Sequence, residues 1–138
     1  MISSSFPVVT ALAAAALALI QVVLALMVVA VRFGKRISLG DGGDAGLNVR
    51  VRRHGNLTES AALFVAMLLM AELSGDWESA LPALAATFVI CRLAHPFGLT
   101  GRPGLNLARA IGTAGTHALL ATAATLLAIS ASRRLVGG

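Results

Sequence analysis

The chain has 138 residues, 57% of them hydrophobic and only 12% charged, a balance that excludes an ordinary soluble globular protein and leaves room for one domain. Its net charge of +5 does not call for nucleic acid, because the basic residues gather at the ends of apolar segments, where anionic lipid headgroups are a sufficient partner. The single cysteine, Cys91, excludes an intramolecular disulfide and reads as a small buried apolar residue.

Four apolar segments, at about 7–31, 48–73, 77–97 and 106–131, each come near the ~20 residues that cross the hydrocarbon core as a helix. They predict an all-α, integral membrane four-helix up-down bundle. The first has no basic residue before it, and its apolar run exceeds the roughly 7–15 residues of a signal-peptide core, so it is expected to remain as helix 1. Gln21 lies near its middle, where an amide is expected to hydrogen-bond a neighbouring helix rather than face lipid. Alanines at spacings of four, such as Ala14 and Ala18, suit close helix contacts.

The connection "GKRISLGDGGDAGLN" is rich in Gly and Asp and reads as turns. "VRRHGNLTES" follows, directly before the second apolar run. It admits two readings. In one, Asn56 and Glu59 form a capping box that starts helix 2 at the membrane surface, with the arginines reaching to headgroups. In the other, helix 2 starts earlier, in the "GLNV" region, and Arg52, Asn56 and Glu59 at i, i+4, i+7 fall within roughly 60° on one face. That face would carry a cation, an amide and an anion, a set suited to a zwitterionic ligand.

The turn "SGDWES" is short, so helices 2 and 3 are expected to be antiparallel neighbours. Pro82 suits the first turn of helix 3, which ends with Arg92 and His95. Helix 4 opens with Asn106 and Arg109, with Ala108, Gly112 and Thr116 as a further small-residue stripe. Thr113 and His117 lie one and two turns deeper, and His117 is expected to be a packed, hydrogen-bonded residue. Three polar sets at one membrane depth predict a polar pocket, since ionisable residues within spans are costly and mark sites.

Arg32, Lys35, Arg36, Arg50, Arg52 and Arg53 lie between spans 1 and 2, and Arg92, Arg102 and Arg109 lie around the connection between spans 3 and 4. By the positive-inside rule these connections are cytoplasmic, both termini are on the other side, and the pocket is near the cytoplasmic face. On that side the "NLT" glycosylation sequon is not expected to be used.

The pattern R-x-x-x-N-x-x-E at Arg52, Asn56 and Glu59, with His54 inside it and R-x-x-H at Arg92 and His95, resembles the MAPEG family of membrane-associated proteins in eicosanoid and glutathione metabolism. The runs "GDGG", "HGN" and "RLAHPFGL" are similar to a small bacterial inner-membrane branch. The resemblance implies a homotrimer with glutathione, as ligand or co-substrate, between neighbouring subunits. It carries glutathione-binding roles to Arg32, Arg52, His54, Asn56, Glu59, Arg92 and His95, and the thiol-polarising, catalytic role to Arg109. The implied activity is a glutathione transferase or glutathione-dependent peroxidase acting on lipophilic small molecules. The alternative is a non-catalytic membrane protein that binds glutathione, a lipid headgroup or another anion. One departure favours the alternative: the chain has no tyrosine, and Ser60 and Leu99 stand where characterised members carry tyrosines. No metal site is expected.

Overall fold

The computed structural model describes residues 6–99 and 106–137; Arg102 lies outside them. Four helices follow in chain order: α1 (Val8–Lys35), α2 (Ala45–Ser74), α3 (Leu81–Gly98) and α4 (Leu107–Gly137). Each is long and apolar enough to cross a membrane. Even α3, the shortest at 18 residues, reaches about 27 Å at 1.5 Å per residue, close to the ~30 Å hydrocarbon core.

The helix ends differ from the expected spans for local reasons. α1 continues to Lys35, with Arg32 and Lys35 in its last turn, where cations complement the helix dipole. Arg36 ends it in the left-handed conformation, its N–H turned back to the carbonyls of Arg32 and Phe33. α2 begins at Ala45 because the Asp44 carboxylate accepts the Leu47 N–H at 2.7 Å, an N-cap. Asn56 therefore lies well inside α2, and the capping box at Asn56 and Glu59 is not the start of the helix. α3 starts at Leu81 rather than near residue 77, since the Ala80 and Leu81 amides both close onto the Trp77 carbonyl as a turn and Pro82 occupies the first helical turn.

The contacts define an up-down bundle whose ring order is α1, α2, α4, α3, with α1 and α4 diagonal and out of contact among the described residues. At one end, Glu72 of α2 accepts the Val9 and Thr10 amides of α1 at 2.9 and 2.8 Å. There too, Arg134 of α4 donates to the Ser74 carbonyl at 2.7 Å, and Trp77 donates to Ser130 at 2.8 Å. Both chain ends thus lie beside the α2–α3 turn. At the other end, the Arg53 guanidinium donates through Nε and Nη2 to the Leu99 carbonyl at 3.0 and 2.6 Å, tying α2 to the end of α3. Between them Phe64 and Phe88, fully buried, stack with ring centroids 3.7 Å apart.

Gln21 makes its interhelical bonds from α1 to α2, donating to His54 Nε2 and Thr58 Oγ1, each at 2.6 Å. Cys91 is buried. The tightest packing is between α3 and α4. A Cβ at Gly98 would lie 2.1 Å from the Arg109 amide nitrogen, and one at Gly112 would lie 2.8 Å from His95 Cβ. These backbones touch because glycine leaves nothing between them.

Overpacking of this kind costs about 1–3 kcal/mol, so Gly112→Ala is expected to lower the thermal unfolding midpoint in detergent, and Gly98→Ala to lower it more. Gly34→Ala, which meets nothing within 4 Å, serves as the silent control. A second outcome concerns Asp44, whose carboxyl is held below its ordinary value of 3.8 by the Lys35 ammonium first and the Leu47 amide second. A depressed folded-state pKa contributes stability that is present above the ordinary value and is lost as pH falls through the lowered one. Amide-exchange protection of the first turn of α2, corrected for intrinsic rate, is therefore expected to fall on acidification in the wild type. In Asp44→Asn, which keeps a capping side chain, it is expected not to change with pH.

Candidate functional site

Arg92 enters the bundle interior from α3 and is only 4% exposed. Its Nη2 donates to the Gly112 carbonyl of α4 at 2.7 Å, while Nη1 donates to the Asn56 carbonyl at 3.2 Å and to Ser60 Oγ at 3.4 Å on α2. Its Nε is buried without a partner. All of these acceptors are neutral. The chain has six carboxylate side chains, and the described residues contain just two ion pairs, Lys35–Asp44 and Arg134–Asp76. A buried guanidinium solvated by neutral oxygens alone keeps most of its charge unbalanced, which is costly.

Beside it opens a cavity of about 280 Å³ between α2, α3 and α4, lined by Asn56, Glu59, Arg92, His95, Arg109 and Thr113, with Ser60, Thr116, His117 and two leucines completing the wall. The volume is near the lower end of the roughly 300–1,000 Å³ of ligand pockets. Two guanidiniums and one carboxylate face this space. Asp41 and Asp44 belong to the α1–α2 connection, and Glu72, Asp76 and Glu78 lie toward the far end of the bundle, so Glu59 is the one carboxylate of the chain lining the cavity.

Each wall has a local origin. On α2 the i, i+3 spacing of Asn56 and Glu59, with Ser60 next in sequence, turns all three toward α4. The Ser60 hydroxyl hydrogen is directed to its own helix, to the Asn56 carbonyl at 3.1 Å and the Leu57 carbonyl at 3.4 Å, so it is not free to serve a ligand. On α4, Asn106 is the N-cap, its Oδ1 accepting the Ala108 and Arg109 amides at 3.1 and 3.4 Å. That fixes Arg109 in the first turn, where the amides concentrate partial positive charge.

The cavity gathers Asn56, Glu59, Arg92, His95 and Arg109 of the expected set, and it does not gather the other three. Arg52 lies one turn beyond Asn56 on the same face of α2 and is exposed. His54 faces α1 instead, bonded to Gln21. Arg32 donates to the Gly40 carbonyl at 3.0 Å and lines a shallow hollow at the end of α1 with Val29, Phe33 and Ile37. His117 is hydrogen-bonded, its Nδ1 2.8 Å from the Thr113 carbonyl, but it is exposed on the cavity wall rather than packed among helices. Ser60 and Thr116 complete the site through backbone hydrogen bonds, which sequence spacing does not reveal. Gly98 and Gly115 were equally hidden, since single glycines at the α3–α4 seam form no repeat.

Glu59, Arg109, Thr113 and His117 are all exposed on the outer face of one chain although their helices are apolar enough to span a membrane. Residues 10–129, most of the chain, match the MAPEG family model. No curated protein matches the sequence significantly. With its four apolar helices and this match, the protein is an integral membrane member of the MAPEG family.

Proposed function

We propose that the protein binds glutathione in the Arg92 cavity and uses its thiol on lipophilic electrophiles or peroxides that arrive through the bilayer. The observation that carries this reading is the buried, carboxylate-free Arg92 facing a cavity with two guanidiniums and one carboxylate. Glutathione has the opposite inventory, two carboxylates and one ammonium, so each charge of the ligand meets a charge of the wall. Charge-assisted bonds of this kind are the strong ones. Asn56 serves the peptide groups and Glu59 the ammonium. Arg109, in the first turn of α4, favours the thiolate, which is the nucleophile of a thiol whose free pKa is about 8.5.

The membrane argues for a second element of the proposal, a homotrimer. Ionisable groups left facing lipid are costly, and a neighbouring copy packed on the α2–α4 face closes the cavity over Glu59, Arg109, Thr113 and His117. Such a neighbour also explains why Arg32 and His54 are not in the cavity of their own chain: they lie toward α1 and reach the site of the next subunit. The basic connections put the site near the cytoplasmic face. The MAPEG match supports glutathione-related chemistry as the class. The resemblance of the short motifs points to a bacterial inner membrane as the location, with both termini away from the cytoplasm.

A second reading, binding without chemistry, is favoured by one observation. The chain lacks tyrosine, and Ser60, at one of the positions concerned, spends its hydrogen on its own helix.

Glutathione is expected to raise the thermal midpoint of the detergent-purified protein and to show an ultraviolet thiolate signal when bound. Loss of one charge-assisted bond is worth about 1.5–3 kcal/mol, or roughly 10- to 150-fold in affinity, and Arg52→Ala is expected to weaken binding at the low end of that range. Arg109→Ala is expected to reduce the thiolate signal and turnover with an aryl halide more than it reduces binding. Stabilisation with neither thiolate signal nor turnover would favour the non-catalytic reading. Native mass measurement is expected to give three chains, and mixing Arg32→Ala with Arg109→Ala subunits is expected to restore some intact sites, which chains acting singly could not do.

A further inference from the structure

The cavity holds a group that the proposed binding contacts leave unused. His117 lies at its end farthest from the start of α4, beside Thr116 and Leu120. A backbone carbonyl can only accept, so the 2.8 Å contact of His117 Nδ1 with the Thr113 carbonyl places the ring proton on Nδ1. The other nitrogen, Nε2, is then a bare lone pair, and it has no hydrogen-bond partner among the described residues. The Arg92 guanidinium is bonded to the Gly112 carbonyl and the His117 ring to the Thr113 carbonyl, adjacent units of α4, so cation and imidazole stand at one level of the helix. Arg109 lies two turns back, about 12 Å along the axis from His117.

We infer that His117 Nε2 is the proton acceptor for the thiol bound in this cavity. The inference rests on the glutathione reading and adds to it the group that takes the proton. The thiol is the least polar end of glutathione, and the Thr116, His117 and Leu120 end is the least charged part of the wall, so the ligand's charged groups occupy the Arg92, Glu59 and Arg109 part and its sulfur reaches His117. There the S–H bond breaks, its electron pair stays on sulfur, and the proton forms an N–H bond to Nε2. Nδ1–H, held by the Thr113 carbonyl, fixes the ring while it becomes imidazolium. With an aryl halide the thiolate pair then forms the C–S bond, halide leaves with its own bonding pair, and the imidazolium proton passes to water. The charged groups around this transfer are Glu59 from α2, Arg92 and the titratable His95 from α3, and Arg109 from α4. The guanidiniums favour the thiolate, whereas Glu59 favours the imidazolium. No tyrosine hydroxyl is needed for the proton to move.

The test uses full-length, assembled protein in detergent with two probes, glutathione and S-methylglutathione, which lacks the thiol proton. S-methylglutathione is expected to stabilise wild type and His117→Gln equally. The thiolate signal of bound glutathione is expected to fall about tenfold in His117→Gln, the equivalent of one pKa unit, and turnover with an aryl halide to fall about 100-fold, within the usual range of acid–base catalysis. Calorimetry of wild type in two buffers of different ionisation enthalpy is expected to show well under one proton released per thiolate formed, because the imidazole keeps it. A full thiolate signal in His117→Gln, or release of one whole proton per thiolate in wild type, would overturn the inference while leaving glutathione binding intact. If wild type binds neither probe, the glutathione reading fails, and this one with it. Should His117→Gln not assemble, the wild-type proton count decides alone.

Discussion

The site depends on how closely α3 and α4 approach. Gly98 lies against the backbone at Arg109, and Gly112 lies against His95. Only at that distance can the Arg92 guanidinium reach across to the Gly112 carbonyl at 2.7 Å. One larger side chain on this seam would part the helices and withdraw the acceptors that hold the buried charge. The cavity is therefore a by-product of packing: α2 stands off α4 by the width of polar side chains, while α3 and α4 touch.

Electrostatics then divides the molecule. At the end beside the termini, acidic groups are matched: Asp76 pairs with Arg134 at 3.4 Å, and Glu72 accepts two amides of α1. In the α1–α2 connection, Asp41 and Asp44 bond Asn48 and Lys35. Around the cavity the balance is reversed, and Arg92 and Arg109 share it with Glu59 alone. A protein that balances its charges elsewhere and leaves cations unbalanced in a hollow has a place for an anion. The same geometry leaves the hollow open on one side, so the unit that can hold a ligand securely is larger than a single chain.

Much of this was legible in the residues. Apolar segments of spanning length gave four helices, and the i, i+3 pairs Asn56 with Glu59 and Arg92 with His95 placed their side chains on cavity-facing surfaces because helical spacing alone sets direction. Gln21 found a partner for the reason that any amide at such depth must. What spacing does not encode is which of two faces a residue serves when both are occupied. His54 sits within the motif yet turns to α1, because Gln21 waits there, and Arg32 is taken by the loop carbonyl of Gly40. The start of α2 was ambiguous because "NLTE" is a good capping sequence, and the rival cap at Asp44 prevailed with help from Lys35. His117 was misjudged as packed because a periodicity argument gives its depth in the bundle but not the open side of the wall.

The Glu72 carboxylate, which accepts the first free amides of α1, has a consequence for biogenesis. A first helix entering the bilayer by itself presents bare N–H groups at its far end, and the group that satisfies them is carried near the distal end of the second helix. Until α2 has crossed, water must serve those amides and α1 has no fixed axial position. Once it has crossed, Glu72 at one end and the Gln21 to His54 bond further along lock the two helices in a single register. The hairpin, rather than the individual helix, is thus the unit that matures in the membrane, and α3 and α4 add to a partner whose sliding has already been arrested.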